Sequence, residues 1–290
     1  MIAISQIKYK GHIIDMLRLD IAFPDVQGNK YFKLKYNLEE AKKLSLNTLL
    51  TFGGAFSNHI HATAAAGEKY QFKTIGIIRG EDDIQNPTLQ FVRKAGMELV
   101  FVSREQYKNK YETTFLKTLE EKYGPYYLIP EGGTNNFAVK GCSEILSGIE
   151  NKYDQIFCAT GTGGTLAGLI STPGLVSKTT GISVLKGKDN VTDIINVLLQ
   201  ENGYSHNIAW NINTNYHFGG YAKFNPSLLK FIKQFENDYH IPLDPIYTGK
   251  TCYAVFDLID KQLISSGEKI CIIHTGGLQG WMGWNYRFAR

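Results

Sequence analysis

Short apolar runs and amphipathic stretches alternate along this 290-residue chain. Residues 48–52, 74–78, 99–102 and 126–129 are apolar runs bounded by turn residues, which predicts buried strands. Between them, residues 56–70, 87–95 and 111–123 repeat apolar positions at helical spacing. A second series follows: a strand at 156–159, a helix start at 165–169, a strand at 182–185 and helices at 191–199, 227–239 and 251–264. It closes on an apolar strand at 269–274. Strands alternating with helices imply an α/β fold whose mostly parallel, twisted sheets are covered by helices. Two lobes are expected, with a boundary near Gly132-Gly133-Thr134-Asn135. Residues 1–45 have no strand series of their own and are assigned with 133–290 to a large domain, leaving 46–132 as a small one.

Composition narrows the function classes. Hydrophobic and charged fractions of 43% and 20% are those of an ordinary globular protein. The net charge of +4 is spread along the chain without a basic block or basic–aromatic stripe, so nucleic-acid binding has no support. Cys142, Cys158, Cys252 and Cys271 show no C-x-x-C spacing, which argues against a zinc site or a disulfide framework. The N-terminus lacks a signal-peptide pattern and no apolar run approaches membrane-spanning length, so a cytoplasmic protein without membrane contact is expected.

Three strand-to-helix turns carry candidate chemistry. Lys30 follows a Gly-Asn turn and opens a helix, where its amine could meet a carbonyl; taken alone it reads as a solvated helix lysine, and the other two turns reverse that reading. In Ala159-Thr160-Gly161-Thr162-Gly163-Gly164-Thr165, glycines permit close backbone approach and threonines add donors at a helix start. That suits a phosphate monoester, although it is neither a Walker A loop nor a full G-x-G-x-x-G. In Gly53-Gly54-Ala55-Phe56-Ser57-Asn58-His59, another helix begins after a strand, and its N–H groups can hold a carboxylate. Ser57 could serve simply as a helix cap. His59 and His61 lie two apart on a helix and point to different faces, so no metal site is expected.

Together these stretches resemble the 1-aminocyclopropane-1-carboxylate deaminase and D-cysteine desulfhydrase family of fold-type-II, tryptophan-synthase-beta-like pyridoxal-phosphate enzymes. The resemblance runs from about Leu17 to the C-terminus. It rests on Arg18-Leu19-Asp20, Gly28-Asn29-Lys30-Tyr31-Phe32-Lys33-Leu34, the two glycine turns, Asp244-Pro245-Ile246-Tyr247-Thr248-Gly249-Lys250 and His274-Thr275-Gly276-Gly277. It implies that pyridoxal 5'-phosphate is held by Lys30 as a Schiff base. Asn29 would lie beside it, Lys33 would neutralise the phosphate, and residues Thr160, Gly161, Thr162, Gly163, Gly164 and Thr165 would cradle it. Asn58 would lie by the ring hydroxyl and Thr275 near the pyridine ring. Ser57, Asn58, His59, Tyr221, Tyr247 and Thr248 would face a small amino-acid substrate. Ser57 or Lys30 would take the α-proton, and Tyr247 or Tyr221 would serve the leaving group.

The resemblance also bears on substrate. Cyclopropane deaminases of this family carry Glu after the motif tyrosine and Leu in H-L-G-G, where this chain has Thr248 and Thr275. Hydroxyl residues favour a neutral pyridine ring and simple β-elimination, as in the desulfhydrases. Ring-opening deamination and a binding module without turnover are the alternatives. The shortened N-terminus, the short 171–181 stretch and Leu278-Gln279-Gly280-Trp281 depart from the family pattern. Relatives of this fold are commonly homodimers, so a homodimer is expected.

Overall fold

The computed structural model describes residues 2–23, 26–172, 174–187, 190–203 and 208–288. Ten strands form two sheets. The six-stranded sheet has the order β1-β2-β10-β7-β8-β9, and the four-stranded sheet the order β5-β4-β3-β6. The first comprises β1 (Ile4–Tyr9), β2 (His12–Arg18), β7 (Tyr153–Thr160), β8 (Val176–Ser183), β9 (Ala209–Asn213) and β10 (Ile270–His274). The second comprises β3 (Thr48–Gly54), β4 (Lys73–Arg79), β5 (Met97–Val102) and β6 (Tyr127–Ile129). Every pairing is parallel except the β1–β2 hairpin.

Both sheets are covered on two faces, and their central strands are accordingly buried over most of their length. Side chains alternate across a strand, so each strand feeds two cores. In β10, Ile270 and Ile272 join Cys252, Val255 and Phe256 of the helix Thr248–Asp260 on one face. Cys271 and Ile273 join Leu17, Phe32, Cys142 and Cys158 on the other. In β3, Leu49 packs with Leu34, Leu38 and Ala62, whereas Leu50 and Phe52 pack with Ile75, Ile77 and Leu119. The helix Asn29–Lys43 therefore touches both lobes: Phe32 enters the large-lobe core, Leu34 and Leu38 the small-lobe core.

The structure departs from the sequence pattern in the large sheet. The strand expected at 182–185 is Val176–Ser183, and Leu185 lies in the turn beyond it. Its Thr179-Thr180-Gly181 centre gives no apolar signal, yet β-branched threonines fit a pleated surface, and Thr179 and Thr180 are buried. The periodicity also passes over the β1–β2 hairpin, whose exposed face mixes Ile4 and Ile13 with Gln6, Lys8 and Asp15, and the edge strand β9. Residues 176–181 of the stretch that departs from the family pattern belong to β8.

Candidate active site

Four turns at the carboxyl ends of parallel strands converge on one cavity of about 660 Å³. They follow β3, β6, β7 and β10, two from each sheet, as expected where α/β sheets bind ligands. Lys30, at the start of the helix Asn29–Lys43, lies in its wall.

Close backbone contact sets this helix. Gly28 precedes it with φ 65°, and the Asn29 N–H donates to the Thr275 carbonyl at 3.1 Å. Asn29 Nδ2 donates to Thr165 Oγ1 at 2.8 Å, which links the Lys30 helix to the glycine-rich turn. Lys33, 2% exposed, donates to the Gly132 carbonyl and to Thr134 Oγ1 at 2.9 Å, with Thr162 Oγ1 at 3.4 Å. Among the described residues the Lys30 amine has no hydrogen-bond or ion-pair partner. Burial lowers the Lys30 pKa to about 8; burial and then the Lys30 charge lower that of Lys33 to about 7. The nearby Cys142 and Cys158 thiols are pushed up to about 11 and about 12 by burial, so both stay protonated at neutral pH.

Ser57 caps the helix Asn58–Tyr70, its Oγ accepting from the N–H groups of His59 at 3.2 Å and Ile60 at 3.3 Å. Thr51 donates to the Ile129 carbonyl at 2.8 Å, so its oxygen is left to accept from His59 Nε2, also at 2.8 Å. That assigns the proton to Nε2 and leaves Nδ1 a buried acceptor without a partner. Burial, with the Lys30 and Lys33 charges, holds the His59 pKa well below its usual value. His61 stacks on Phe91 at 3.8 Å, away from His59. Among the described residues no three His, Cys, Asp or Glu side chains cluster to hold a metal.

From the large lobe, the Tyr247 hydroxyl donates to that of Tyr221 at 3.3 Å. Burial raises the pKa of both, well above 10 for Tyr247. The fully buried Asp244 carboxylate anchors the segment through the N–H groups of Ile246, Tyr247 and Thr248 at 2.8–2.9 Å.

The cavity thus brings together Asn29, Lys30, Lys33, Ser57, Asn58, His59, residues 160–165, Tyr221, Tyr247 and Thr275. Thr248, expected to face the substrate, does not line it. Its hydroxyl instead donates to Asp244 Oδ1 at 2.7 Å and accepts the Asp244 N–H at 2.9 Å. A residue at a helix start above a buried carboxylate satisfies that carboxylate first. Phe56 and Gln279, which lie in stretches quoted from the sequence, also line the cavity, as do Arg79, Arg104, Glu131 and Arg287, which the sequence pattern does not single out. Arg79 ends β4 and Glu131 lies two residues beyond β6, and that place at the carboxyl end of a strand is the available signal.

These residues fit a phosphorylated aldehyde cofactor. An unpaired buried amine can attach a carbonyl carbon, and in the turn after β7 neither Gly163 nor Gly164 has room for a side chain. A Cβ on Gly164 would meet Lys33 Cε and Thr134 Oγ1 at 3.0 Å, so backbone and donors can close on a phosphate.

Comparison with known proteins agrees. Residues 24–276 match a family described as pyridoxal-phosphate dependent enzyme. A putative 1-aminocyclopropane-1-carboxylate deaminase of Pyrococcus furiosus is 32% identical over 289 residues, covering 94% of this chain and 87% of the relative. A bifunctional D-cysteine desulfhydrase/1-aminocyclopropane-1-carboxylate deaminase of Arabidopsis thaliana is also 32% identical, over 91% of this chain and 72% of its own. The crystal structure of an ACC deaminase homologue superimposes with a TM-score of 0.86 at 26% identity, covering 99% of this chain and 92% of that one. The two-sheet α/β fold expected from the sequence is the one observed. The chain therefore belongs to the pyridoxal-phosphate dependent enzyme family, and its cofactor is pyridoxal phosphate.

Proposed function

We propose that this enzyme is a lyase for a small amino acid, eliminating the β-substituent in the manner of a D-cysteine desulfhydrase. With D-cysteine and one water the products are pyruvate, ammonium and hydrogen sulfide. The observation that carries the reading is the unpartnered, buried Lys30 amine in a cavity shared by Ser57, Asn58, Tyr221 and Tyr247.

When bound, the cofactor supplies an electron sink for charge developing at the α-carbon. Lys30 holds the cofactor, while Asn29, Lys33 and residues 160–165 line the place for its phosphate. Asn58 and Thr275 flank its ring in this reading. The Ser57-Asn58-His59 helix start receives the substrate carboxylate. Lys30 is the stronger candidate for moving the α-proton: with its pKa near 8 it is partly neutral at working pH. Ser57 Oγ is already occupied by two N–H donors. Tyr247 and Tyr221 remain protonated and can hand a proton to the departing sulfur.

Ring-opening of 1-aminocyclopropane-1-carboxylate is the second reading, favoured by the names of several relatives. Against it stand the hydroxyls at Thr248 and Thr275, where a carboxylate or an apolar side chain would mark the deaminases. A binding module without turnover finds no support among the relatives. Among the described residues no helix is long and apolar enough to cross a membrane.

The purified protein should show the visible absorbance of lysine-bound cofactor, and Lys30→Ala should abolish it. Release of sulfide, keto acid and ammonia from D-cysteine, L-cysteine and the cyclopropane substrate ranks the two readings. Cofactor binding without turnover of any of them would overturn both.

A further inference from the structure

Two guanidiniums flank the loop after β3. Arg79 ends β4 and pairs in register with Gly54. A Cβ built on Gly54 would find Arg79 Nη2 at 3.8 Å as its nearest neighbour. Arg287, in the last turn of the helix Gly280–Phe288, lies over the Phe56 ring at 4.2 Å. One arginine comes from each lobe, and both line the cavity. The Tyr286 hydroxyl holds this helix end to the small lobe through Asp83 at 2.9–3.0 Å.

Among the described residues neither guanidinium has a carboxylate partner, only the Tyr107 ring beside Arg79 and the Phe56 ring beside Arg287. The arginine ion pairs among the described residues are Arg18–Asp20 and Arg93–Asp82; Arg79 and Arg287 have none. Asp82 is thus occupied by Arg93, and Asp83 receives the Tyr286 hydroxyl. Among the described residues Glu131 is the single carboxylate in the cavity lining, and Lys110 faces it at 3.3 Å. A guanidinium keeps its charge at any working pH and presents a fork matched to carboxylate, sulfonate or phosphate. A cleft lined by one sign of charge also concentrates ligands of the other. In the reading above the turns after β7 and β3 already supply places for the cofactor phosphate and the substrate α-carboxylate, which leaves these two cations surplus to both.

We propose that Arg79 and Arg287 form a subsite for an anionic group on the substrate side chain, so that the favoured substrate is an amino acid whose β-substituent carries a second negative charge. This rests on the elimination reading above and makes D-cysteine a slower substrate of the same site. With O-phosphoserine, the Cβ–O bond breaks, phosphate leaves, and one water completes pyruvate and ammonium.

The test uses the holoenzyme and both enantiomers of size-matched pairs: O-phosphoserine against O-acetylserine, and cysteine S-sulfonate against S-methylcysteine. Both arginines are exposed, so glutamine substitutions leave the fold intact. The anionic member should show a kcat/KM roughly tenfold or more above its neutral partner at low salt. That ratio should collapse towards one in Arg79→Gln and Arg287→Gln and invert in Arg79→Glu. Equal losses for both members of a pair would assign the arginines to the shared α-carboxylate and overturn the proposal. A ratio at or below one in the unaltered enzyme, with D-cysteine turned over, would overturn it and leave the elimination reading standing. If no pair is turned over, the elimination reading fails. Titration of the visible absorbance then still decides the subsite, which is absent if the anionic members bind no tighter than the neutral ones.

Discussion

The ammonium of Lys250 donates to the carbonyl of Gly220 at 2.9 Å from a side chain with no exposed surface. A second bond of the same length reaches the His217 carbonyl. Lys250 belongs to the helix that starts just after Tyr247, and Gly220 precedes Tyr221, so these bonds fasten the two tyrosine-bearing segments together. The 218–222 turn is strained, with positive φ at Phe218, Gly219, Gly220 and Ala222.

Lys250→Met should leave both carbonyls without a donor, costing about 2–3 kcal/mol in urea denaturation. Because Tyr221 then loses its fixed place opposite Tyr247, kcat should fall roughly tenfold or more with a smaller change in KM. A loss of stability with kcat untouched would remove Tyr221 from the chemistry.

Gly28→Ala tests the close approach that places Lys30. A Cβ there would lie 2.0 Å from the Thr275 carbonyl oxygen, on a backbone whose φ of +65° already disfavours side chains. The helix start must move, which is expected to cost about 2 kcal/mol or more and to abolish the visible absorbance of the bound cofactor. Thermal melting and an absorbance spectrum check both; retention of both would show that the turn has slack.

The pH dependence of apoprotein stability follows from buried groups. Burial lowers Lys33 to about 7 and Lys30 and Lys250 to about 8, against 10.5 for an ordinary lysine. From about pH 7 the unfolded chain therefore binds more of these protons than the folded one, and stability rises with pH. Burial raises Cys142, Cys158, Cys252 and Cys271 above their usual 9, to about 11 or beyond. Above pH 9 the unfolded thiols lose their protons while the folded ones keep them, and stability falls. Denaturant midpoints under reducing conditions should be highest around pH 9 and lower at both 7 and 10.5; a monotonic profile would contradict these buried charges.

Much of the small lobe was legible because its strands are buried on both faces and read as unbroken apolar runs. Residues 48–52 and 74–78 lie within observed strands for that reason. Strand β8 was misplaced because its buried centre is threonine and glycine, and the β1–β2 hairpin was missed because its outer face mixes exposed isoleucines with polar residues, which blurs the alternation. Thr248 was read from its motif as facing substrate, yet a motif carries no information about the Asp244 carboxylate beneath it.

The sequence by itself determined what depends on neighbours in the chain. These are the strand–helix alternation, the glycine turns at strand ends, the lysine behind a Gly-Asn turn and, through its motifs, the cofactor. Only the tertiary structure decided what depends on sheet order. It joined Lys33 to Gly132 across 99 residues and Tyr221 to Tyr247 across 26. It also set Arg79 and Arg287, one from each lobe, over a single loop. The physical reason is that local backbone preference acts over a few residues. A cavity is made by turns that parallel sheets bring together from opposite ends of the chain.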